Sequence, residues 1–412
     1  MIIKDKQYYK FCLYGFLKNL RFFEPFFILY FLSKDITFLQ IGILYSVREI
    51  AINVFEIPSG IIADALGRKK TLATAFLAYI IAFILFYAYS EFKIFLLAML
   101  LYALGDAIRS GINKAMIIDY LRSTNQIENK VEYYGHTRSW SQIGSAISSL
   151  AGGVLFFFNK NLDAIFLFSV FPYFLDLLNV LSYPSFLDKT NGEERVFSVS
   201  VSERLKIIIV GFINAFKNKE LLKALINSSV YSGYYKTIKD FIQPYLKSVI
   251  LSVPLYYFSK QEKTALFLGS IYFLIFIINS FISRGAFKLE KKFSSQETFL
   301  NITLFTGLII GLLGGVIMET FNSTWVVLLF IIILAIENGR KPSCVANITS
   351  KSNANIHAGI LSVQSQLTSI FSAIIMLLAG VFADAYGVGA GILIASIILL
   401  ILFPFILLKQ NN

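Results

Sequence analysis

Apolar runs long enough to cross a bilayer alternate with short polar intervals along the whole chain. A hydrocarbon core of roughly 30 Å takes about 20 apolar residues per helix. That ruler predicts twelve spans, at 8–32, 38–62, 71–90, 94–118, 136–158, 162–185, 222–250, 264–286, 298–318, 323–343, 358–382 and 387–408. The longest polar interval, 186–221, carries Lys189, Arg195, Arg204, Lys206, Lys217 and Lys219 and leaves six spans on either side. The expected architecture is all-α and integral to a membrane: one bundle over 1–185, a cytoplasmic linker over 186–221 and a second bundle over 222–412.

Composition agrees. Of 412 residues, 56% are hydrophobic and 15% charged, and a mean hydropathy of +0.68 is too high for an ordinary water-soluble domain. A formal charge of +12 would suggest nucleic acid as the partner of a soluble protein. Here the bases gather in loops on one side: Lys4, Lys6, Lys10, the cluster Arg68, Lys69 and Lys70, Arg122, Lys130, the linker, the bases from Arg284 to Lys292, and Lys351. The other side has few, mainly Lys34, Lys93, Lys160, Lys260 and Lys263. The bases are read as topology signals, with no nucleic-acid partner. They place both termini in the cytoplasm of a multi-pass plasma (inner) membrane protein. The first apolar run holds Lys18, Arg21 and Glu24 without a small-residue cleavage site, so it is expected to be retained. Cys12 and Cys344 are too few for a disulfide framework or a cysteine metal site. His136 and His357 are expected to open spans 5 and 11 as interfacial residues rather than proton relays.

The stretch EIPSGIIADALGRKK, Glu56 to Lys70, ends one apolar run with a glycine-flanked turn and follows it with three bases. Its spacing G-x-x-x-D-x-x-G-R-K falls at Gly60, Asp64, Gly67, Arg68 and Lys69, and it resembles the loop between helices 2 and 3 of the major facilitator superfamily. Internal repetition supports the resemblance. GFLKNLRFFEP in span 1 and GYYKTIKDFIQP in span 7 share Gly-to-base-to-base spacing, at Gly15, Lys18 and Arg21 and at Gly233, Lys236 and Lys239. Pro25 and Pro244 follow them. In span 4 Asp106 precedes Arg109 by three residues, and in span 10 Glu337 precedes Arg340 by three, a spacing that shares a helix face. The resemblance implies two six-helix bundles with pseudo-twofold symmetry, a substrate site between them near the midplane, and a cavity lined by spans 1, 4, 7 and 10.

Charges at mid-bilayer depth cost about 2.5–3.5 kcal/mol each on insertion scales and mark bundle interiors or wet cavities. The candidates are Lys18, Arg21 and Glu24 in span 1, Arg48 and Glu49 in span 2, Asp106 and Arg109 in span 4, and Asp176 in span 6. Lys236, Lys239 and Asp240 in span 7 and Glu337 and Arg340 in span 10 complete the set. One reading makes them fixed ion pairs, with Asp106–Arg109 and Glu337–Arg340 neutralising themselves. The other makes them a solute site. Lys18, Arg21, Lys236 and Lys239 outnumber Glu24 and Asp240, which favours an anionic or zwitterionic solute. Coupling to a proton or sodium ion would fall to Glu24, Glu49, Asp106, Asp240 or Glu337. Phe22, Phe23, Tyr234 and Tyr235 are placed to stack on a planar ligand. The resemblance further implies a cytoplasmic gate in which Asp64 meets the start of helix 11 with Arg68 as its local partner; the alternative is a plain tight turn with topogenic bases.

Drug/proton antiporters of the superfamily carry G-x-x-x-G-P-x-x-G-G in span 5. Here those positions read Gly144, Ser148, Ser149, Gly152 and Gly153, with Ser-Ser for Gly-Pro. In span 4, Arg109 is followed by Ser110 and Gly111, not by the antiporters' x-x-Q-G. Both departures weigh against drug antiport. Gly380, Asp384 and Gly387 repeat G-x-x-x-D-x-x-G between spans 11 and 12 and read as a turn. No P-loop for ATP occurs, and no His, Cys or acid constellation suggests an enzyme, metal or cofactor. The expectation is a secondary active transporter, a symporter or antiporter working as a monomer by alternating access on a small organic anion or zwitterion. The alternative is multidrug or metabolite efflux by proton antiport; from a different class, a membrane-embedded enzyme or transporter-fold sensor.

Overall fold

The first apolar run does not form one helix. In a computed structural model, α1 (Lys6–Leu17) stops before Lys18, the chain loosens to a 3-10 turn at Glu24–Phe26, and α2 (Phe27–Leu32) resumes. Pro25, which lacks an N–H and whose ring clashes with the preceding turn, keeps the chain from continuing as an α-helix through the 3-10 turn. The structure describes residues 3–188, 209–210, 213, 217–254, 256–320, 323–352 and 357–409, without the side chains at 57, 58, 60–62, 64–66, 110, 111, 114, 130, 131, 283–288, 357 and 358. The chain continues through α3 (Phe38–Leu66), α4 (Arg68–Ala88), α5 (Phe92–Ser123), α6 (Lys130–Asn159) and α7 (Asp163–Leu181). After the linker, most of which lies outside the described residues, come α8 (Lys219–Phe241) and α9 (Gln243–Ser252). They are followed by α10 (Lys260–Glu290), α11 (Gln296–Thr320), α12 (Trp325–Ser350), α13 (His357–Tyr386) and α14 (Val388–Ile406). Span 7 is also two helices, with Pro244 in the first turn of α9. His136 lies inside α6, where its Nδ1 is 3.1 Å from the Tyr8 hydroxyl; the helix opens earlier, at Lys130.

Eight described helices are long and apolar enough to cross a membrane: those of spans 2, 3, 5, 6, 8, 9, 11 and 12. The four outside that set are α1 with α2, α5, α8 with α9, and α12, the first, fourth, seventh and tenth spans. A break divides the first and seventh spans and charge sets the tenth apart, while for the fourth the side chains at 110, 111 and 114 lie outside the described residues. Most of the candidate charges fall on these four spans.

By contacts the chain forms two compact units. Unit 1 comprises Met1–Phe26, Ala51–Arg204 and Phe258–Phe276. Its helices approach closely where residues are small. A Cβ on Gly153 of α6 would lie 2.6 Å from the Ala265 carbonyl oxygen of α10, and one on Gly152 would collide with the Phe22 carbonyl. Such contact needs hydrogen-sized side chains. Phe23 stacks on Phe166 of α7 at 4.8 Å and is 2% exposed, so it belongs to the core and is not free to stack on a ligand.

Unit 2 comprises Phe27–Ile50, Leu205–Tyr257 and Ile277–Asn412. Here the breaks of spans 1 and 7 are joined: Gln243, fully buried at the start of α9, accepts a 2.9 Å hydrogen bond from the Ile28 N–H, a first-turn donor of α2. α3 packs on α13 where Ser46 donates to the Ala373 carbonyl at 2.7 Å. Leu221, Leu225, Phe299, Leu300, Ile348 and Ile360 form an apolar core. Tyr234 is fully buried with its hydroxyl 2.6 Å from Ser396 Oγ, so its expected ligand-stacking role is also replaced by packing.

Candidate functional site

In unit 1 one carboxylate serves two guanidiniums. Asp106 Oδ1 lies 3.3 Å from Arg21 Nη2 and 3.1 Å from Arg109 Nη2, and it accepts a 2.5 Å bond from the Tyr79 hydroxyl. Arg109 Nε donates to Tyr79 at 3.0 Å, and Arg21 Nε donates to the Tyr173 hydroxyl at 3.0 Å. Tyr173 in turn donates at 2.8 Å to the Lys18 carbonyl, at the point where α1 ends. The break that frees this carbonyl thus also delivers Arg21 to the cluster. Asp106 and Arg109 do pair as their spacing suggests, but Arg21 joins them, so this group of three carries one surplus positive charge. The Lys18 ammonium sits 5.0 Å from the centre of the Tyr14 ring, and Glu24 is half-buried in the 3-10 turn.

Unit 2 holds the remaining charges. Lys236 Nζ lies 2.6 Å from Glu49 Oε2, with Arg48 Nη1 3.8 Å from Glu49 Oε1. Lys239 and Asp240 occupy the last turn of α8, beside the break. Glu337 and Arg340 do not pair with each other. Glu337, 6% exposed, accepts a 2.6 Å bond from the Ser232 hydroxyl. Arg340, fully buried, donates to the Leu300 carbonyl, to Thr303 Oγ1 at 2.8 Å and to Asn227 Oδ1 at 2.8 Å, with its guanidinium over the Tyr231 ring. A carbonyl, a hydroxyl and an amide can engage the terminal N–H groups of a guanidinium without a carboxylate, and the i,i+3 spacing does not reveal that.

The glycine-flanked loops are built alike. Gly67 has φ +88°, and a Cβ there would meet Asp188 Oδ1 at 2.6 Å. That same oxygen accepts from the Lys69 N–H at 2.8 Å and so serves the first turn of α4. Arg68 is paired with Asp119 of α5, and Lys69 Nζ donates to the Tyr183 carbonyl at 3.0 Å. Side-chain detail at Gly60 and Asp64 lies outside the described residues. In the second copy Gly387 has φ +100°, and Glu319 accepts from the Ala390 N–H at 2.9 Å in the first turn of α14. Asp384 is more than a turn residue: its two oxygens accept from the Phe38 and Leu39 N–H groups at 2.6 and 2.9 Å, capping α3.

The Major Facilitator Superfamily model matches residues 11–350, most of the chain. The chain belongs to the major facilitator superfamily. It is a multi-pass membrane protein with twelve transmembrane helices in two six-helix bundles. An uncharacterized MFS-type transporter, YxaM of Bacillus subtilis (strain 168), is 30% identical over 230 residues, 55% of this chain and 55% of that protein. The chain therefore aligns with about half the length of this curated relative. Crystal structures of the nucleoside transporter NupG (TM-score 0.73, 14% identity, 98% of this chain and 97% of that one) and of a peptide transporter POT in complex with sulfate (TM-score 0.65, 15% identity, 98% and 96%) share its fold.

Sequence reasoning found the charged residues of this superfamily member but missed those that hold them. Tyr79, Tyr173 and Ser232 are ordinary apolar-span residues by composition, and only the fold turns their hydroxyls onto Asp106, Arg21 and Glu337.

Proposed function

We propose that the chain is an ion-coupled secondary active transporter that carries a small organic anion or zwitterion by alternating access. The observation that carries the reading is the placement of charge: spans 1, 4, 7 and 10 hold most of the mid-span ions, and Arg21 and Arg109 share the carboxylate of Asp106. Ions are kept in membrane interiors where they border water or a solute path, and a cationic surplus favours an anionic cargo.

In this reading the bundles 1–185 and 222–412, joined by 186–221, rock about a midplane site. The protein works as a monomer in the plasma membrane with both termini in the cytoplasm. Asp64, with Gly60, Gly67, Arg68 and Lys69, shuts the cytoplasmic side. Glu337 is the proposed coupling acid, because it is buried, is held by one hydroxyl, and has no cation within ion-pair distance among the described residues. Asp106, with two guanidiniums, and Glu49, with a lysine, already have ion-pair partners.

Proteoliposome counterflow tests the reading. Labelled organic anion should accumulate in vesicles preloaded with the unlabelled compound, and Glu337→Gln should retain this exchange while losing proton-driven accumulation. Proton-driven export of lipophilic cations alone would instead favour the drug-efflux alternative.

A further inference from the structure

Between α1, α5 and α6 of unit 1 lies a cleft of about 210 Å3. Lys18 and Arg138 line it together with the amides of Asn19, Asn113 and Gln142, and none of its described lining residues is acidic. Arg138 is exposed and has no ion-pair or hydrogen-bond partner among the described residues. Asn113 Oδ1 is buried without a hydrogen-bond partner among the described residues, and the buried hydroxyl of Tyr14, which also lines the cleft, lies beside Arg109. The Asn19 amide donates one N–H to the Gly15 carbonyl at 2.7 Å, which leaves its second N–H and its oxygen on offer.

The lining combines two cations with a buried acceptor that lacks a donor. Buried polar groups ordinarily find partners, so Asn113 marks where a ligand's donor, or water held in its absence, would sit. Pockets for drug-sized ligands run to about 300–1,000 Å3, so this one suits a compact solute and is small for a bulky amphiphile. We propose that the cleft is a binding subsite for a compact organic acid of the α-hydroxy or α-amino carboxylate type, its carboxylate held by Lys18 and Arg138 and its O–H or N–H donor directed to Asn113 Oδ1. Gln142, one helical turn beyond Arg138 on α6, completes the wall with a group that both donates and accepts. The proposal deepens the transport reading by naming a cargo class, and it rests on that reading only for the steps after binding.

The test uses the full chain purified in detergent, with D-glycerate and L-serine as probes and tetraphenylphosphonium as the contrasting cation, read by thermal unfolding. At least one carboxylate should raise the unfolding temperature saturably in the wild type. Its half-saturating concentration should rise at least tenfold in Arg138→Gln and partly recover in Arg138→Lys. Asn113→Ser, smaller than Asn113→Leu and safer for folding, should weaken binding of the same probe. The proposal is overturned if neither carboxylate shifts the transition, if Arg138→Gln binds as the wild type does, or if tetraphenylphosphonium alone stabilises. Proteoliposome uptake separates the two readings: saturable Arg138-dependent binding without uptake contradicts transport and leaves the cleft standing. Uptake that is indifferent to Arg138 contradicts the cleft and leaves transport standing.

Discussion

Lys236 of α8 reaches Glu49 of α3 at 2.6 Å, an ion pair between residues 187 positions apart within one compact unit. The Glu49 side chain is 3% exposed and that of Lys236 is 36% exposed, so the anion depends on its partner more than the cation does. Removing Lys236 should therefore cost more than removing Glu49. Lys236→Met should destabilise by more than the roughly 1 kcal/mol typical of exposed pairs and less than the roughly 3–5 kcal/mol of fully buried ones. The swap Glu49→Lys with Lys236→Glu should recover part of that loss, as measured by chemical unfolding of both single variants and the double variant.

Asp106 is the only carboxylate seen between Arg21 and Arg109 among the described residues. Asp106→Asn leaves two guanidiniums facing each other in the bundle and should destabilise by about 3–5 kcal/mol. Arg21→Gln should cost less, because Asp106 keeps Arg109. Thermal unfolding of the two variants side by side checks the order, and equal losses would mean that Arg21 matters as much as the acid.

Asp384 caps α3 from the end of α13, 346 positions away. Loss of a helix cap typically costs about 0.5–2 kcal/mol. Asp384→Ala should loosen the packing of α3 on α13 by a comparable amount, seen as faster maleimide labelling of a cysteine placed at Ser46. Unchanged labelling would show that the cap holds one helix and gates nothing.

Gly153 meets α10 with no room for a methyl group, its Cβ position lying 2.6 Å from the Ala265 carbonyl oxygen. Gly153→Val should overpack the crossing, at a typical cost of about 1–3 kcal/mol. If the crossing separates during transport, the same change should alter exchange rate more than it alters binding of a bound probe, a comparison that proteoliposome exchange and thermal shift make together.

Much of this is legible in the chain itself. Hydropathy marks all twelve spans, because bilayer thickness acts on every helix in the same way. The Gly-base-base repeat and Pro25 and Pro244 mark the two spans that break. Partners are not legible. Spacing of three along one helix suggests Asp106 with Arg109 and Glu337 with Arg340; the first pair exists and the second does not, because Arg340 finds a carbonyl, a hydroxyl and an amide on α11 and α8. Local periodicity shows which residues share a face and is silent about what another helix brings to it. Asp384 reads as a mere turn residue for the same reason: its role lies in the free N–H groups at the start of α3. Asn113 gives no signal, since an amide in a span looks alike whether it is paired or waiting for a ligand.

The central claim is that the charges kept on spans 1, 4, 7 and 10 serve the passage of an anionic solute. Counterflow of labelled D-glycerate and L-serine into proteoliposomes, comparing the wild type with Lys18→Gln, tests it most directly. Saturable accumulation of at least one compound, lost or weakened at least tenfold in Lys18→Gln, is the expected result. Accumulation of neither compound, with proton-driven movement of tetraphenylphosphonium instead, would contradict it.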